Sequence, residues 1–245
     1  MKNRILSEIS QMKNELHIAE YIAWWLLRAC MIATAIIFVI KGEAPYQRNL
    51  ILINLLATFA IPLLRFVSPE KLFTSKITFR IQSYVDIFVL LGSFLGHGLK
   101  FLGEVPEYDK IMHVIAGGVV VFIGAEVLKA FKGSENTTPG IKTFCGTGFS
   151  FIFIVLWELM EFFADWFITD SNNQDYLGGP GENDIFIKVF GNGKNFPAQN
   201  PVYDTNADMF FAVLGAIICS IILYAVLSKK EKRTDKKEKV KITID

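Results

Sequence analysis

Three short stretches of this chain set ionisable side chains at helical spacing among apolar neighbours. Tyr108-Asp109-Lys110-Ile111-Met112-His113 puts Asp109 and His113 four residues apart, on one helix face that Gly117 continues. Trp157-Glu158-Leu159-Met160-Glu161, extended by Asp165, lines up three carboxylates through spacings of three and four. Asp204-Thr205-Asn206-Ala207-Asp208 repeats the i, i+4 pairing. His97, in Gly96-His97-Gly98, reaches a comparable depth in its own apolar block, where facing the headgroups is its plainer role.

Carboxylates gathered at one level cannot all stay charged unaided. Two like charges about 4 Å apart repel by roughly 4 kcal/mol even at an effective dielectric near 20. Either protons are shared or a cation sits among them. The candidate metal ligands are Asp109, His113, Glu161, Asp165, Asp204 and Asp208, and the deeper Glu158 and Glu161 are the candidate catalytic bases. Mostly oxygen donors with a histidine suit a divalent cation such as Mg²⁺, Mn²⁺, Ca²⁺ or Zn²⁺, and the residues do not choose among them. No HExxH or paired CxxC motif is present. Plainer readings stand beside these: Asp109 and Asp204 as helix N-caps, His113 as a hydrogen-bonded bundle histidine.

Membrane helices are what must position these groups. Of 245 residues, 52% are hydrophobic and 20% charged, which excludes a disordered chain or a disulfide scaffold. A net charge of +1 argues against nucleic acid as a partner and leaves membrane lipids. Six apolar blocks cover residues 21–40, 50–67, 81–102, 111–131, 143–167 and 209–227. Each has roughly the 17–25 residues that a helix needs to cross about 30 Å of hydrocarbon. The expected fold is therefore all-α, a polytopic membrane helix bundle with six transmembrane helices filling residues 21–228.

Residues 1–20 carry Lys2, Arg4 and Lys13 beside Ile5, Ile9, Met12 and Leu16, the pattern of an amphipathic cytoplasmic segment on the membrane surface. Eighteen of the 25 basic residues fall in the two termini, 65–80 and 129–142, against six in the alternate segments, so both termini are expected in the cytoplasm. The tail 229–245, with eight basic and four acidic residues, reads as a disordered membrane-adjacent segment. The glycine- and proline-rich loop 168–203 then faces outward as a cover or a connector. Nearer the inner side, Arg28 and Asp86 are placed to form an ion pair, and Glu126 lies one turn from Lys129. Cys30, Cys145 and Cys219 fall inside apolar blocks and read as filler.

Taken in order, the Asp109–His113 stretch with Gly117, the Glu158–Glu161 stretch, and Tyr203 to Met209 with Gly215-Ala216 resemble the YjdF family of bacterial inner-membrane proteins. They are more distantly similar to VanZ-like proteins, whose pattern also has an Asp-Lys-x-x-His, an acidic motif and an Asp-x-x-x-polar-x-x-Gly. The resemblance covers roughly residues 80–225; the stretch 177–195 is longer than the family's usual connection, and the VanZ-like Gln of the middle motif is absent. It implies a multipass protein of the bacterial cytoplasmic membrane and carries over no settled activity.

From the residues, the first functional expectation is a cation-dependent hydrolase or transferase acting on a lipid or cell-envelope precursor from an outward-facing pocket. A proton- or ion-coupled transporter is the alternative. Its weakness is the inner half of the path, where 114–125 has no strongly polar side chain. A noncatalytic binding or scaffold protein is the third reading.

Overall fold

Backbone groups in lipid must find partners within their own segment, and among the described residues the chain is helical with no strand. The computed structural model describes residues 2–42, 45–105, 107–167, 173–174 and 200–242. Helices α1 (Lys2–Glu15), α2 (Ile18–Lys41), α3 (Pro45–Ala57), α4 (Ala60–Val67) and α5 (Arg80–Phe88) come first. A π-helical stretch, Val89–Gly98, continues α5 directly. The short α6 (Phe101–Glu104) follows, then α7 (Tyr108–Leu128), α8 (Pro139–Phe167) and α9 (Asn200–Ile242).

Helices α2, α7, α8 and residues 201–234 of α9 are each long and apolar enough to span a bilayer. A fifth span is available if α3 and α4, bent by 45° at their junction, cross as one. The sixth expected block, 81–102, is α5 running into the π-helical stretch and is not a uniform α-helix of spanning length. The tail also differs from expectation, because α9 runs on as helix to Ile242. Lys, Arg and Glu are strong helix formers, and no Gly or Pro interrupts them there.

The chain divides into two compact units, Met1–Tyr108 with Ala125–Thr137, and Asp109–Gly124 with Thr138–Asp245. In the first, Leu27, Met31 and Ala35 of α2 pack with Ile51 of α3 and with Val89 and Phe94 of the π-helical stretch. The break between α3 and α4 determines the polar chemistry of this unit. The Ile61 amide donates to Gln82 Oε1 at 2.9 Å, and Gln82 Nε2 donates to the Ala57 carbonyl at 3.1 Å. One side-chain amide thus stands in for the helical bond that would join Ala57 to Ile61. Next to it, Pro62 has no N–H to offer the Thr58 carbonyl. Arg28 supplies it through Nη2, and its Nε donates to Thr58 Oγ1 at 3.1 Å.

The Arg28–Asp86 ion pair expected from sequence is therefore replaced. Arg28 caps the broken span and lies over the Phe59 ring, 4.1 Å from its centroid. Asp86 Oδ1 accepts from Gln82 at 2.6 Å, and its Oδ2 is buried without a hydrogen bond. The Glu126–Lys129 pair does form, at 2.5 Å, and Thr78 donates to the second Glu126 oxygen. Helix α1 docks by its polar stripe: Glu8 and Gln11 hold the buried Arg65 at 2.9 and 2.7 Å, and Arg4 donates to the Arg65 carbonyl at 2.8 Å. Leu6 and Ile9 are left exposed, as a helix on a lipid surface requires. All three cysteines are free thiols.

In the second unit, α7 and α9 touch through their backbones. A Cβ on Gly117 would collide with the Ala212 carbonyl, and one on Gly215 with the Val114 carbonyl. Only glycine permits that approach. Ser150 of α8 is fully buried and donates to the Gly117 carbonyl at 2.7 Å, tying the third helix to the pair.

Candidate functional site

One turn of α7 beyond these contacts lies a polar cluster built by α7, α8 and α9, all within the second unit. The residue sequence reasoning misplaced is Lys110. One of the six basic residues counted in the alternate segments, it is buried and donates to Asp109 Oδ2 at 3.1 Å, Asp204 Oδ1 at 3.0 Å and Asp208 Oδ1 at 2.5 Å. An ammonium has three protons, so Lys110 is fully used by these aspartates. The signal was in the stretch itself: Lys110 adjoins Asp109 and precedes His113 by three, which on a helix keeps all three on one side of α7.

His113 faces the oxygens that Lys110 leaves. Its Nε2 is 3.6 Å from Asp109 Oδ1 and 3.7 Å from Asp208 Oδ2, and its Nδ1 is 4.0 Å from Glu158 Oε1. These separations exceed the usual hydrogen-bond range of about 2.7–3.2 Å. They lie near the edge of a coordination tetrahedron, about 3.3–3.5 Å for bonds of 2.0–2.1 Å. Asp109, His113 and Asp208 offer one donor atom each within a mutual 4.8 Å.

A second group of donors, Glu158, Glu161 and Asp208, meets the same limit, so Asp208 belongs to both. Glu158 is buried, and neither of its oxygens has a hydrogen bond. Glu161 Oε1 accepts from Trp157 Nε1 at 2.8 Å. Asp208 is 1% exposed, whereas the Asp109 side chain is 42% exposed, so the cluster opens on the Asp109 side.

Asp165 and Asp204 stand apart from both donor groups. Asp165 accepts from the Asn173 and Gln174 amides, each at 2.7 Å, and so fastens the chain that follows α8. Gln174, which sequence reasoning did not single out, is buried there and donates to Thr205 Oγ1 at 3.0 Å. Asp204 serves Lys110. The N-cap readings of Asp109 and Asp204 do not hold, because the N-cap position of α7 is Glu107, whose side chain makes no capping hydrogen bond, and α9 begins at Asn200. His97 is exposed in the π-helical stretch of the first unit. The outward loop 168–203 lies outside the described residues except for 173–174 and 200–203.

The model of a family described as "Predicted membrane protein (DUF2238)" matches residues 23–229. An "Uncharacterized protein" of Thermotoga maritima is 26% identical over 157 residues, covering 63% of this chain and 67% of that one. No solved structure matches the chain.

Proposed function

The chain belongs to the membrane-protein family described as "Predicted membrane protein (DUF2238)", and from that premise we propose that its second unit is a cation-dependent hydrolase or transferase site for a lipid or cell-envelope precursor. The observation that carries this reading is the division of labour between oxygens. Lys110 takes one oxygen of Asp109 and one of Asp208, and the other oxygen of each turns toward His113 Nε2. Lys110 lowers the net negative charge and orients both carboxylates, leaving a three-donor face for a divalent ion. Such an ion polarises a phosphoryl or acyl oxygen or lowers the pKa of a bound water. Glu158, buried beside His113, and Glu161 one turn on supply the proton acceptors that such a water requires.

Backbone contact at Gly117 and Gly215 packs α7 and α9, two of the cluster's three helices, tightly beneath it, which supports a pocket open on one side over a transport path. The positive-charge asymmetry of the sequence supports an opening toward the extracytoplasmic face of a bacterial cytoplasmic membrane. The YjdF-like and VanZ-like order of the three motifs agrees with an envelope setting.

Metal analysis of the full chain, purified in detergent and dialysed free of loose ions, tests the reading. Wild type is expected to retain divalent cation stoichiometrically, and His113→Ala and Asp208→Asn to hold less of it. Wild type without a bound divalent ion, or variants that keep the full wild-type complement, would overturn the proposal.

A further inference from the structure

A single divalent ion leaves part of the cluster unexplained. Asp109, Asp204, Asp208, Glu158 and Glu161 contribute five negative charges if ionised, and Lys110 offsets one. An ion among Asp109, His113 and Asp208 offsets two more, with His113 neutral as a ligand. Two negative charges then remain in a region surrounded by lipid-facing helices, where such charge is costly. Lys110 cannot reach further, since its three donors are already engaged.

The residue that registers the deficit is Glu158. Its side chain is 7% exposed, both oxygens lack a hydrogen bond, and the basic side chain that comes within 4.0 Å of it is His113, which is neutral as a ligand. A buried carboxylate without donors is among the most costly groups a protein can hold. It shares with Glu161 and Asp208 a set of oxygens lying within 4.8 Å of one another. That is the reach across an ion whose bonds are about 2.3–2.5 Å long.

We infer that Glu158, Glu161 and Asp208 bind a second divalent cation, with Asp208 bridging the two ions, and that this binuclear centre takes a phosphate monoester. The inference rests on the cation-site reading above and deepens it. With the second ion the charge count closes to zero, and the unpartnered oxygens of Glu158 gain a ligand. One oxygen of each glutamate suffices for the ion, so the other still serves as a proton acceptor. Two divalent ions joined by one carboxylate present adjacent positive charges that match two oxygens of a phosphoryl group, a geometry suited to in-line displacement. The half-exposed Asp109 side provides the approach.

Equilibrium Mn²⁺ binding to the full chain in detergent, with electron paramagnetic resonance as second readout, tests this. Wild type is expected to bind two Mn²⁺ per chain, with loss of the six-line signal as the ions couple. Glu158→Gln should bind one uncoupled ion. Glu161→Gln, judged beside it for correct elution and thermal midpoint, decides the matter if Glu158→Gln does not fold. One ion in wild type that survives both substitutions and is lost in His113→Ala overturns the second site and leaves the first. Two ions unaffected by either glutamine likewise overturn it, and no ion at all overturns both readings. For the ligand, inorganic phosphate and micelles containing phosphatidic acid are the two probes. Tighter Mn²⁺ binding with phosphate supports a phosphoryl site open to soluble esters, tightening with the lipid alone assigns a lipid headgroup, and tightening with neither overturns the substrate class.

Discussion

Arg28 donates to the main-chain carbonyl of Thr58, the acceptor that Pro62, four residues on, has no N–H to reach. A charge carried into an apolar helix is here a structural cap for a broken span. The same holds for Gln82, whose amide is threaded between Ala57 and Ile61.

Replacing Arg28 by Met should therefore destabilise the protein by about 1–3 kcal/mol, the usual cost of leaving a buried acceptor unpaired. Pro62→Ala restores an N–H opposite Thr58. The double variant should recover part of the loss, with a coupling of about 0.5–3 kcal/mol between the two sites. Thermal unfolding of the four proteins in detergent measures it, and strict additivity would show that Arg28 has another role.

Gln82→Leu removes both the donor for Ala57 and the acceptor for Ile61, and it takes from Asp86 Oδ1 the hydrogen bond that Gln82 donates. Amide exchange at Ile61 should accelerate sharply, and unfolding should come several degrees earlier. A protected Ile61 amide in the variant would mean that the α3–α4 bend closes its own ladder.

Gly117→Ala and Gly215→Ala each drive a methyl group into a facing carbonyl, so each should cost more than about 2 kcal/mol or abolish the folded protein. Gly148→Ala, on α8 with open space around the added carbon, should be neutral or stabilise by about 0.5–1 kcal/mol. Expression and thermal midpoint of the three variants, compared side by side, check the contrast.

Lys110→Met strips the shared counter-ion from three aspartates, and breaking a buried pair in this way costs about 3–5 kcal/mol. Lys110→Arg should fare little better, because a larger guanidinium with all its donors in one plane does not reproduce the compact ammonium that three aspartates surround. If Lys110→Met unfolds at the wild-type temperature, the ammonium contributes little and the aspartates are neutralised by other means.

The stretches around Asp109, Glu158 and Asp208 were legible in the sequence because helical periodicity alone aligns residues three and four apart, and a carboxylate inside an apolar run is conspicuous. Lys110 was not, since one cation among six in the less basic segments looks like an ordinary loop charge until Asp204 and Asp208 are brought to it from 94 and 98 residues away. Arg28 failed for a related reason. Opposite charge suggested Asp86 as its partner, whereas the stronger need was a backbone carbonyl orphaned by Pro62, which no charge pattern reveals. The bend at Thr58 and the π-helical stretch from Val89 depend on tertiary partners and leave no periodic trace. Hydropathy counted six blocks but could not tell an unbroken helix from one interrupted by a side chain.

Because α7 meets α9 main chain to main chain at Gly117 and Gly215, neither helix can rotate or slide past the other without steric collision. Asp109, His113 and Asp208 are thus keyed to a common frame, like teeth cut on two shafts that share a spline. Whatever enters from the Asp109 side meets a fixed die and must conform to it.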